Sequence, residues 1–286
     1  MSIMNNSDRS LQKRQRIVLI STIVYFFIEL LGGFMYNSLA LVTDASFMAI
    51  NITGQFIAIY IERISKRQPD NKKTFGYERA RVLSGLFNGI LLGFLTFYVL
   101  KEGYAKILNP PLVETTEVII IALIGLIVNG SGFLILYRHS NKINVKASML
   151  LILNDTLGSV GVVIAAVVIS YTGFYFLDPL AGVIIGLLVA WPTYILIKEN
   201  VNILMESNTF GINVEEVRTC IYESDANIST VKDIHIWGIT PEIKILAVRI
   251  RTNGQTLQRE NIKIIKNKLE TQFGFADLFL ETYEDK

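Results

Sequence analysis

Cysteine and histidine are almost missing from this chain, and each shortage excludes chemistry. With Cys220 alone among 286 residues, no internal disulfide and no multi-cysteine metal cluster can form. Only His139 and His235 remain for histidine-based sites. Charge is scarce as well: 18% of residues are charged against 51% hydrophobic, with a mean hydropathy of +0.42, which is more apolar than a soluble core requires. The net charge of +2 is too small to point to nucleic acid, and the basic residues gather in a few loops rather than over one face. No activated nucleophile, phosphate loop or acid and base pair shares a face, so the sequence does not read as an enzyme, and Cys220 reads as a packing thiol.

The composition instead predicts a polytopic membrane protein. Six apolar runs, at residues 17–36, 39–61, 82–100, 118–136, 149–170 and 179–197, are each about the length needed to cross the hydrocarbon of a bilayer. Residues 1–16 form a polar, basic lead-in, and the first run is too long for a cleaved leader and reads as a retained helix. Fourteen Lys and Arg lie in that lead-in and in the loops after the second and fourth runs, against Lys101 and Lys106 on the other side. The positive-inside rule then places both termini in the cytoplasm. Residues 17–204 form the six-span domain, and residues 205–286 read as a small soluble α+β domain in the order αββαβ, a two-layer sheet with helices on one face. Its size makes it marginal as an isolated fold.

Asp155 stands inside the fifth run. A charge at membrane depth costs at least about 2.5 kcal/mol on insertion scales, so it faces a bundle interior, a partner or a water-filled path. Two readings of it stand: an ion-handling group, or a carboxylate hydrogen-bonded to Asn154 or near Ser159 for helix packing. The first run contains Glu29. On the second run, Asp44, Phe47, Asn51 and Gln55 follow a 3, 4, 4 spacing and share one helical stripe, which its polar members predict to face inward.

Several stretches, in order, resemble the cation diffusion facilitator family of divalent-metal transporters. They are SLALVTDA (38–45), TFGYERARVLSGLFNGILL (74–92), LNPPLV (108–113), ALIGLIVN (122–129), NDTLGSVGVVIAA (154–166), DPLAGVIIGLLV (178–189) and ILMES (203–207), followed by VKDIHIW (231–237) in the soluble part. The resemblance implies a homodimer, paired cytoplasmic ferredoxin-like domains, and export of zinc or a similar cation in exchange for protons. It implies no cofactor, since the divalent metal is cargo. Family members hold that cargo with two pairs of His or Asp spaced i to i+4 on the second and fifth spans. Those positions here are Phe47, Asn51, Leu151 and Asp155, and only Asp155 keeps a usual ligand.

Phenylalanine and leucine cannot coordinate a cation, and an amide oxygen suits hard ions better than zinc. An oxygen-rich set of Asp44, Asn51, Asn154 and Asp155 is one expectation; interhelical hydrogen bonding by the same residues is the other. Accessory sites look depleted. Asp70 remains in the loop after the second span with Lys72, Lys73 and Glu78 around it, and the soluble domain offers His235 with Asp277 or Glu281, unless His235 is only a strand residue beside Trp237. The histidine-rich loop of some relatives is reduced to His139. A working transporter with an altered, zinc-like or manganese-like site is thus expected, or else a transport-deficient homologue that partners a competent one in a heteromer.

Overall fold

In the computed structural model, residues 6–137, 143–252 and 259–283 are described. Arg138, His139 and Lys142 lie outside them, and the side chain of Leu151 is likewise not described. Six long helices come first: α1 (Asn6–Met35), α2 (Leu39–Ser65), α3 (Arg79–Leu108), α4 (Thr115–Tyr137), α5 (Ile143–Thr172) and α6 (Leu177–Leu204). All six hold a stretch long and apolar enough to cross a membrane. Several run past the apolar segments that the sequence marks, because polar flanks such as Arg79 to Arg81 and Ile143 to Ser148 continue the helix beyond the hydrophobic run. The chain divides into two compact units, Met1–Ile57 with Asn88–Tyr194, and Ala58–Phe87 with Ile195–Lys286.

The first unit has an interior drawn from all six helices, including Tyr25, Leu41, Phe47, Met48, Leu92, Val118, Ala122, Val162 and Ile185. Its outside carries large apolar side chains such as Ile20, Phe27, Leu31, Phe94 and Leu187, as a lipid-facing surface requires. Close helix approach rests on small residues. Gly33 leaves its Cβ space to Val42, and Gly103 leaves its own to Val183. The α1–α2 turn is minimal, and Asn37 takes a left-handed φ of 55°, which asparagine tolerates.

That turn explains two of the motifs. Ser38 accepts from the Leu41 N–H at 3.2 Å, and Asp178 at the start of α6 accepts from Ser38 Oγ and from the Leu39 N–H, each at 2.6 Å. A buried carboxylate thereby caps α2, where free N–H groups and the helix dipole favour negative charge. Asp178 is a buried charge with a structural occupation.

The second unit contains α7 (Val214–Tyr222), β1 (Ile228–Gly238), β2 (Lys244–Thr252), α8 (Arg259–Phe273) and β3 (Asp277–Tyr283), the αββαβ order the sequence predicts. The sheet order is β1-β2-β3, with β1 antiparallel and β3 parallel to β2. Leu246, Val248 and Ile250 alternate inward along β2 against Val217 and Ile221 of α7 and Ile265 and Leu269 of α8. In the same unit the α2–α3 loop lays Phe75 against Phe279 of β3, with ring centroids 6.4 Å apart, and Arg79 pairs with Glu206 at 2.9 Å.

Candidate cation site in the membrane unit

Asp155 lies on the buried stripe of α5, with Ile152, Gly158, Ser159 and Val162. Asp44 of α2 comes to the same place: its carboxylate rests on Gly158, where a Cβ would stand 2.5 Å from Oδ1. Glu29 of α1 is the third member. It is fully buried, and its Oε1 accepts from the Tyr25 hydroxyl at 3.1 Å. The Glu29, Asp44 and Asp155 carboxylates are near enough for their charges to interact, and Ser159 stands beside Tyr25 and Asp44. Glu29 Oε2 and Asp44 Oδ2 are buried without a hydrogen-bond partner. An uncompensated carboxylate inside an apolar bundle costs several kcal/mol, a cost that a proton or a cation beside it would offset.

Glu29 is a member of the cluster that the sequence shows inside the first span without tying it to Asp155. The same rule that singles out Asp155 applies to it, since it too is ionisable at membrane depth. Tyr25 precedes it by one helical turn, the spacing at which two side chains meet.

The structure distributes the other expected residues differently. Asn154 is exposed, because neighbouring helix positions point roughly 100° apart and Asp155 takes the inward direction. Asn51 is half-buried and Phe47 is part of the apolar interior. Gln55, expected on the inward stripe, is exposed along with Thr53, Phe56 and Ala58, so the stripe stays inside for only two turns. Among the described residues, no three or more His, Cys, Asp or Glu side chains are arranged to hold a metal ion by themselves. The chemistry on offer is therefore oxygen donation by carboxylates supplemented by hydroxyls and amides, which suits hard cations.

The accessory positions are occupied by other work. Asp70 accepts from the Tyr77 hydroxyl at 2.6 Å and from the backbone N–H groups of Lys73 and Lys72 at 2.7 and 2.8 Å. These bonds hold its carboxyl below its ordinary range, the Tyr77 bond contributing most, and the same bond pushes the Tyr77 phenol up. Asp70 is a turn-forming residue here. His235 is exposed on β1, opposite Ala247 of β2, which in turn faces Phe279 of β3; Asp277 faces Ile245. His235 and Asp277 are thus two strand spacings apart, about 9.5 Å before their offset along the strands. Glu281 is engaged with Arg249 at 2.6 Å, and that pair holds the guanidinium above its ordinary range. Cys220 is buried beside Gln272, consistent with a packing thiol, and burial pushes it up.

Comparison with known proteins follows the same lines. Residues 16–205 match the cation efflux transmembrane domain family. The chain is 36% identical over 277 residues to the metal cation efflux system protein CzcD of Cupriavidus metallidurans, covering 96% of this chain and 86% of that protein. It is 33% identical to the cadmium, cobalt and zinc/H(+)-K(+) antiporter of Bacillus subtilis over 88% of this chain and 83% of that protein. It is 32% identical to the zinc transporter ZitB of Escherichia coli over 75% of this chain and 69% of that protein. With its six spans, its small αββαβ domain and these matches, the chain is an integral membrane protein that belongs to the cation efflux, or cation diffusion facilitator, family.

Proposed function

We propose that this chain exports a divalent cation in exchange for protons, through a site built on Asp155 with Asp44 and Glu29 beside it. The observation that carries the reading is the convergence of three buried carboxylates from α5, α2 and α1 inside the membrane unit. The names of the relatives support efflux of metal cations, and the antiporter of Bacillus subtilis supports coupling to a counter-ion. The donors are oxygens, so the cargo is a harder ion than zinc, with manganese the leading candidate. The loop charge asymmetry supports cytoplasmic termini, and the marginal size of the soluble domain supports a homodimer. The test is uptake of manganese and of zinc by proteoliposomes containing this chain alone.

A second reading has its own observation. Phe47 is buried in the apolar interior at a position where family members place a ligand, and no His, Cys, Asp or Glu group among the described residues forms a metal cage. That arrangement would suit a transport-deficient subunit of a heteromer with a competent homologue. The same liposomes separate the two readings, because the subunit alone would move neither ion.

A further inference from the structure

Asn129 of α4 is 2% exposed, and neither its amide nitrogen nor its amide oxygen has a hydrogen-bond partner. Leaving a buried amide unpaired costs about 1–3 kcal/mol per group, and a leucine in its place would simply pack. Its surroundings follow from the contacts on either side. One turn before it, the Cβ space of Gly125 is filled by the Tyr25 hydroxyl, and Ser159 of α5 stands beside that same tyrosine. Almost one turn after it, Gly132 contacts Val18 of α1 and Ile152 of α5. Ala122 and Val162 lie further along in one cluster, and Leu136 with Met149 in another. Between α4 and α5, the Cβ position of Gly132 lies 3.6 Å from Ile152, and the two consecutive spans run antiparallel. Three residues back along α4 from Gly132 and three forward along α5 from Ile152, about one turn on each helix, bring Asn129 to the level of Asp155.

We infer that Asn129 is a further ligand of the cargo cation, its amide oxygen facing Asp155 from α4. Packed helices lie about 8–10 Å apart axis to axis. An Asn and an Asp at one level without a hydrogen bond between them leave a gap that an ion held at roughly 2.0–2.6 Å from each oxygen would bridge. On α1 at this level, Ser21 donates its hydroxyl to the Val18 carbonyl at 2.8 Å and so does not satisfy the amide. A neutral oxygen opposite the carboxylate adds a donor that zinc disfavours and manganese accepts. This inference rests on the cation-transport reading above and names a donor that reading lacks.

The test is manganese(II) chloride binding to the purified full chain in detergent, followed by electron paramagnetic resonance of the free ion, with zinc chloride as competitor. The parent is expected to bind manganese in an Asp155-dependent way. Asn129→Leu should weaken that binding roughly tenfold or more. Asn129→Asp, nearly isosteric and therefore decisive if the leucine variant does not assemble, should tighten manganese binding roughly tenfold, since a carboxylate replaces a neutral oxygen donor. If both variants bind manganese within twofold of the parent while Asp155→Asn abolishes binding, Asn129 is not a ligand and the transport reading stands. If the parent binds neither ion, the transport reading falls and this inference with it.

Discussion

The Asp44 carboxylate rests directly on Gly158: a Cβ there would lie 2.5 Å from Oδ1 and 2.8 Å from the carboxyl carbon. Three residues along the helix, Gly161 has nothing within 4 Å of its own Cβ position. The pair gives a controlled experiment on the site. Gly158→Ala should displace Asp44 and reduce cation flux by about tenfold or more, while Gly161→Ala, with the same change in helix propensity, should leave flux within twofold. Equal flux in the two variants would show that the Asp44 position is immaterial to transport.

The cap on α2 is tested by stability. Asp178→Ala removes the acceptor for Ser38 and the Leu39 N–H and strands both in the interior, a loss on the order of 2 kcal/mol or more. Thermal unfolding in detergent should show a clear drop, with Asp178→Asn falling between. An unchanged melting temperature in the alanine variant would mean that the α1–α2 turn is held by packing alone.

Much of this was legible in the sequence, and the boundary has physical causes. The six spans show because hydrocarbon thickness demands uninterrupted apolar runs, and Asp155 shows because it interrupts one. Partnership does not show in the same way. Glu29 and Asp44 lie in different helices, and only packing brings them together. Asn129 is a modest polar residue in an apolar run, and its unpaired state exists only once Gly125 and Gly132 set the register between α4 and α5. The partners of Asp70 do not show either, since a carboxylate in a loop looks free until Tyr77 closes on it.

Cytoplasmic placement of the soluble domain is decided by labelling, although not at the native thiol, because Cys220 is buried. In a Cys220→Ser background, Glu216→Cys on the exposed side of α7 should resist a membrane-impermeant thiol reagent in intact cells and react after lysis. Reaction in intact cells would invert the topology.

The Asp70 turn should depend on pH with a definite sign. Its folded carboxyl is held below the ordinary range, so the stabilisation is fully present above the unfolded value and is lost as pH falls through the lower folded one. Tyrosine resonances assigned with Tyr77→Phe should show the phenol titrating above its ordinary range, and Asp70→Asn should bring it back down. No movement in that variant would mean that the 2.6 Å contact does not persist in solution.

Flux of manganese and zinc into proteoliposomes containing only this chain, parent against Asp155→Asn, is the most direct measurement of the central claim. An oxygen-donor site on Asp155 predicts that the parent carries manganese in preference to zinc, that the lumen alkalinises as protons leave in exchange for the entering ion, and that Asp155→Asn abolishes both. Unchanged flux in Asp155→Asn, or a parent that moves neither ion, would contradict it.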